Sequence, residues 1–104
     1  MPDTPQWLYR IVPTRPEMPL DPTADELALA AAHVEYLVEL ERRGVLILAG
    51  RTQEAVGTFG IAIFEAPDAS SAQAITDADP AIAGGLFAAT VHPYKVAVAR
   101  SGLA

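Results

Sequence analysis

The spacing of apolar residues along the chain switches between a period of two and a helical period, and the switches lay out the elements. Trp7 to Val12 (WLYRIV) is β-branched and aromatic and lies between Pro5 and Pro13, so it predicts a first strand with Trp7, Tyr9 and Ile11 on one face. Four prolines between Pro13 and Pro22 mark a stiff, extended connection, long enough to cover something. Thr23-Ala-Asp-Glu26 is a capping box and predicts a long helix running through Arg43, with Gly44 as its left-handed cap. Leu27, Ala30, Ala31, Val34, Leu37 and Val38 recur at helical spacing and predict the core stripe, with Glu35, Glu39 and Arg42 on the solvated side. A second row, Leu29, His33, Tyr36 and Leu40, borders that stripe and sets His33 at the margin of the apolar face.

Val45 to Ala49 (VLILA) and Thr58 to Glu65 (TFGIAIFE) read as two strands, paired as a hairpin through the polar loop around Gln53 to Gly57. Pro67-Asp68 opens a second helical segment reaching about Asp77, with Ser70-Ser-Ala-Gln73 available as a further capping box. Asp79-Pro80 restarts the chain into one short turn ended by Gly84-Gly85, and Leu86 to Ala99 predicts a final strand. Pro93 removes a ladder donor there, so that strand belongs at an edge or bends at a bulge.

The order is β-α-β-β-α-β, which predicts an α+β, ferredoxin-like sandwich: a four-stranded antiparallel sheet with two helices on one face. Leu8 and Val12 oppose Trp7 and Ile11, so both faces of the sheet carry apolar side chains while helices cover only one. An apolar face of that size is more than a monomer normally exposes, and a second copy of the chain is expected to cover it.

At 104 residues and 51% hydrophobic content, the chain is read as one domain over 1–104. No run approaches the roughly 20 apolar residues of a membrane span, and MPDTPQ lacks the basic-then-apolar pattern of a signal peptide, so a soluble cytoplasmic protein is expected. The absence of cysteine removes disulfides, thiolate metal sites and a thiol nucleophile. A net charge of -6, with only Arg42 and Arg43 contiguous among the basic residues, argues against nucleic-acid and anionic-membrane partners.

No Gly-rich phosphate loop, HExxH, GxSxG or EF-hand pattern occurs, and two histidines without cysteine make a metal site improbable; no cofactor is expected. His33 is the best candidate for acid-base work, because imidazole titrates near neutral pH and this one sits between core and surface. Its plain alternative is a helix histidine packed beside Tyr36. Asp79 before Pro80 is what a helix N-cap looks like, yet a carboxylate there has acceptor capacity to spare for orienting His33. Arg51 after Gly50 suits a carboxylate or phenolate, with Gly50 allowing close approach, though a solvated strand-end charge explains it equally. Tyr9, Arg10 and Tyr36 are possible lining residues, equally explained as core or sheet face. Arg15 is expected at the surface, Met18 as filler, and His92-Pro93-Tyr94 as strand-edge structure.

His33-Val-Glu-Tyr-Leu37, Gly44-Val-Leu46, Ala49-Gly50-Arg51, Phe64-Glu65, Asp77-Ala-Asp79-Pro80 with Gly84-Gly85, and Val91-His-Pro93-Tyr94 occur in that order, and the set resembles the YCII-related (YciI-like) family from Trp7 to Val98. The connection from Pro13 to Pro22 is longer than in the shortest members. The resemblance implies a dimeric α+β barrel and a His-Asp dyad, falling on His33 and Asp79. It also implies kinship with dehydrochlorinases of hydroxylated aromatics, lactone isomerases and cofactor-free monooxygenases, among which fold alone does not choose. The leading expectation is a homodimer in which His33 and Asp79 perform acid-base elimination or isomerisation on a small polar or aromatic molecule, with Arg51, Gly50 and Tyr36 binding it. The alternative is a non-catalytic dimer binding a metabolite or protein.

Overall fold

Strand β1 (Gln6–Pro13) buries Tyr9 and Ile11 and exposes Arg10 between them, the alternation of a strand with one covered face. It pairs antiparallel with β3 (Gly60–Glu65) on one side and β4 (Phe87–Tyr94) on the other, so Tyr9 lies between Ala62 and Val91. Strand β2 (Leu46–Arg51) adds outside β3, giving the order β2-β3-β1-β4. Helices α1 (Ala24–Arg42), α2 (Ala69–Asp77) and the single turn α3 (Pro80–Ala83) complete a computed structural model that describes residues 4–100. Three residues of the N-terminal MPDTPQ segment and residues 101–104 lie outside the described residues. The architecture is the expected ferredoxin-like α+β sandwich.

The chain's local signals place these elements. Thr23 accepts the Glu26 amide while the Glu26 carboxylate accepts the Thr23 amide, so α1 starts on a complete capping box. Gly44, at φ +75°, turns the chain out of α1 into β2. Pro93 sits near the end of the edge strand β4, where a missing donor costs no ladder bond to a further strand. The expected final strand is too long: pairing ends at Tyr94, and beyond it the Val96 amide donates to the Gln6 side chain. The hairpin strands differ from the expected ranges in opposite ways: β2 starts one residue later than Val45 and runs on past Ala49 to Arg51, with a register shift between Leu46 and Leu48, whereas β3 is trimmed, with Thr58 and Phe59 left in the loop. Asp68, not Ser70, caps α2 by accepting the Ser71 amide; the helix starts earlier and takes Ser70 into its first turn.

The core stripe expected on α1 is rotated. Leu40, from the bordering row, is 1% exposed, whereas Leu27 and Val34 are 58% and 57% exposed. Two contacts turn the helix this way. Gly84 lies so close to α1 that an added Cβ would come within 2.7 Å of Leu29 Cδ2, and the Tyr36 hydroxyl donates to the Ile75 carbonyl of α2 at 2.7 Å. The inner side of α1 therefore faces α3 and α2 as well as the sheet, and this brings His33 inward.

Register places Leu8, Arg10, Ile61, Ile63, Thr90 and His92 on the sheet face away from the helices. Arg10 stacks on Phe59 there, 4.5 Å from the ring centroid.

The rotation of α1 predicts unequal truncation costs. Leu40→Ala is expected to lose about 2–4 kcal/mol in urea unfolding, and Val38→Ala, whose side chain is already half in water, less than about 1 kcal/mol.

Candidate functional site

Asp79 has no exposed surface and is the N-cap of α3. Its Oδ1 accepts the Ala81 amide at 2.9 Å; its Oδ2 accepts the Tyr9 hydroxyl at 2.8 Å and lies 2.6 Å from His33 Nδ1. A carboxylate has acceptors only, so His33 Nδ1 carries the hydrogen of that contact, and in the neutral ring Nε2 is left with its lone pair. Each group that approaches Asp79 is a donor, which is how a fully buried acid is accommodated. His33, on the third turn of α1, keeps 14% of its side chain exposed, and the Phe87 ring meets its imidazole nearly edge-on at 5.4 Å.

Beside this pair lies a cleft of about 550 Å³ between the first half of α1 and the sheet. It exists because the side chains facing one another across it are small: Ala30 on α1, with Ala49, Gly60 and Ala62 on the sheet. Leu27 and Val34, the residues displaced from the core by the rotation of α1, form its helical wall. Met18, Pro19 and Pro22 of the proline-rich connection form part of its rim. The ionisable lining groups are Tyr9, Glu26, His33 and Arg51. Such a lining suits a small, flat, mostly apolar molecule with one or two polar groups.

The rim is fastened by charge. Arg15 forks onto Glu26, with Nε to Oε2 at 3.0 Å and Nη2 to Oε1 at 2.6 Å, and also donates to the Asp21 carbonyl. The Arg15 hydrogen bonds, and then the Thr23 amide, lower the Glu26 pKa from its ordinary 4.5 to about 2. Around Asp79 the effect is opposite. Burial first, and then the Asp79 charge, push the Tyr9 hydroxyl well above the ordinary tyrosine range, so Tyr9 remains a donor.

The family model for the YCII-related domain matches residues 9–94, most of the chain. The protein belongs to the YCII-related family. One similar solved structure is the 5-chloro-2-hydroxyhydroquinone dehydrochlorinase TftG from Burkholderia phenoliruptrix AC1100, in complex with 2,5-dihydroxybenzoquinone. It is 22% identical, aligned over 86% of this chain and 93% of that one with a TM-score of 0.67, a likeness of fold. A search of curated proteins finds no match.

Within this YCII-related chain, His33 and Asp79 come together although 46 positions separate them in sequence. Arg51 and Gly50 reach the same cleft at the end of β2; an added Cβ at Gly50 would meet nothing within 4 Å. Tyr36 is not among the residues lining this cleft, and its hydroxyl donates to the Ile75 carbonyl. Met18, expected as filler, lines the cleft, and Arg15 turns back onto Glu26. His92 stays on the edge strand, bonded to Thr90 Oγ1 at 2.9 Å. Among the described residues, no group of three or more His, Asp or Glu side chains is arranged to hold a metal. The part sequence reasoning left unassigned is the Tyr9 hydroxyl on Asp79; the signal was its shared strand face with Trp7 and Ile11, which brings its ring to the helices.

The depressed Glu26 pKa sets a stability window. The folded value lies below the ordinary one, so the contribution is full above about pH 4.5 and is lost as the pH falls toward about 2. Glu26→Gln is expected to flatten that part of the stability-versus-pH curve, as measured by urea unfolding from pH 6 downward.

Proposed function

We propose that the protein is a cofactor-free acid-base enzyme acting on a small hydroxylated aromatic or carboxylated molecule. The observation that carries the reading is the 2.6 Å contact between His33 Nδ1 and the buried Asp79 Oδ2, at the side of a cleft large enough for one ring. Asp79 holds the imidazole in one orientation, so Nε2 is the nitrogen that takes a proton from the ligand or returns one. Arg51 steadies the anion that develops or that the ligand already carries. In an elimination, the base removes a proton, the electron pair left behind forms a double bond, and the leaving group departs with its own pair; no redox partner is needed. In an isomerisation the same nitrogen returns the proton to another atom. The likeness to a dehydrochlorinase supports the elimination form, and its bound dihydroxybenzoquinone suggests the size of ligand.

The working unit in this reading is a single-domain cytoplasmic homodimer. The sheet face bearing partly exposed Leu8 and Ile61 has no helix over it among the described residues, and half-exposed Leu48 extends it. No described helix is long and apolar enough to cross a membrane. A second reading is a binding module without turnover, favoured by the fact that Asp79 already caps α3.

Two measurements separate them. Chloride release from a panel of chlorinated hydroxyquinols is expected with the parent protein and is lost in His33→Ala, with the dimer retained in sedimentation. Turnover that persists unchanged in His33→Ala removes the mechanism. Titration with 2,5-dihydroxybenzoquinone is expected to show binding weakened about tenfold or more by Arg51→Ala. Binding without chloride release, and equal in parent and His33→Ala, supports the module. A second expectation concerns assembly: Leu48→Glu places a charge on the uncovered face and is expected to convert dimers to monomers in sedimentation, whereas an unchanged dimer moves the contact elsewhere.

A further inference from the structure

The carboxylate that orients His33 is itself held by a residue to which no role has been assigned. Tyr9 comes from the middle of β1, is fully buried, and crosses the helix-facing side of the sheet to place its hydroxyl 2.8 Å from Asp79 Oδ2. That is the same oxygen that meets His33 Nδ1, while Oδ1 is taken by the Ala81 amide. We propose that Tyr9 is a positioning residue of the site, whose hydroxyl keeps Asp79 Oδ2 aimed at His33 Nδ1 and so keeps Nε2 as the bare nitrogen facing the cleft. The inference rests on the reading of His33 as the proton-transferring group.

The geometry gives the reason. A capping carboxylate bound through one oxygen retains rotation about its Cβ–Cγ bond, and a single backbone amide on Oδ1 leaves the second oxygen free to swing. A second donor on Oδ2 fixes the carboxylate plane. The donor must approach from a rigid element, and Tyr9 does: its strand is hydrogen-bonded on both sides, and its ring packs against Phe64 with centroids 5.8 Å apart. It must also remain a donor, and burial together with the Asp79 charge keeps the phenol protonated. Tyr9 is thus disqualified as a base at the site although its ring lines the cleft. Tyr36 offers a natural comparison, since its phenol also senses the Asp79 charge but donates to a backbone carbonyl. The other charged groups of the neighbourhood are Glu26 and Arg51 in the cleft lining, and Arg43, which acts on Tyr36.

The test reads the His33 tautomer by nitrogen NMR of the ligand-free, full-length protein, so it does not depend on any substrate. The parent is expected to show the Nδ1–H form. In Tyr9→Phe, the Nε2–H population is expected to rise about tenfold, the order associated with losing one hydrogen bond to a charged acceptor. Tyr36→Phe is expected to leave the ratio unchanged. An unaltered ratio in folded Tyr9→Phe, or an equal change in Tyr36→Phe, overturns the proposal. If Tyr9→Phe does not fold, the parent decides: the Tyr9 ring carbon bearing the hydroxyl is expected to shift in step with protonation of His33, and a flat response overturns the proposal. Loss of the acid-base reading itself would appear separately, as turnover indifferent to His33→Ala.

Discussion

A carboxylate with no exposed surface needs a donor for each oxygen, and meeting that need at Asp79 fixes where three elements of the fold converge. Ala81 supplies the donor from α3, Tyr9 from β1 and His33 from α1. Those elements are far apart in sequence, so the buried acid acts as a tertiary cross-link as well as a helix cap. The close approach of Gly84 to Leu29 serves the same end, because α3 must lie hard against α1 for the imidazole to reach the carboxylate.

The cleft is the complement of that arrangement. Where α1 presses on α3 and α2, Leu40 is buried and Tyr36 is engaged; toward its N-terminal half the helix stands over alanines and a glycine, and space remains. The proline-rich connection edges this space, and Arg15 ties it to Glu26, which already belongs to the capping box that starts α1. One carboxylate therefore sets both where the helix begins and where the rim rests, and the rim lies close to the point from which the helix rises.

Most of the fold was legible because it rests on local signals: the Thr23 to Glu26 box, Gly44, the Asp79-Pro80 start and the alternation in β1. The facing of α1 was not. Its apolar residues cover more than half its circumference, so periodicity alone does not choose between the Leu27 row and the Leu29 row. Packing against α3 decides in favour of the latter, and the Leu27 row becomes cleft wall. The same difference explains Tyr36 and Tyr9, both read from sequence as lining residues, with Tyr36 alone carried forward as a ligand contact. One spends its hydroxyl on the Ile75 carbonyl; the other finds Asp79, because strand register sets Tyr9 between Ala62 and Val91 beneath the helices. The meeting of His33 with Asp79 was read from the residues as one alternative to plain packing and capping and was then implied by the family resemblance, and it depends on contacts across 46 positions that no local pattern encodes.

This double use of Asp79 limits what its substitution can reveal. Removing the carboxylate would strip a helix cap, strand a buried phenol and release the imidazole together, so a loss of function there would report on folding and chemistry at once. Asparagine keeps the capping oxygen but brings donors toward Tyr9 and His33, which reverses the polarity of the contact rather than deleting it. His33 and Arg51 are more informative positions, since both face the cleft and neither caps a helix. Chemistry at this site is best separated from structure by changing the imidazole and leaving the buried acid in place.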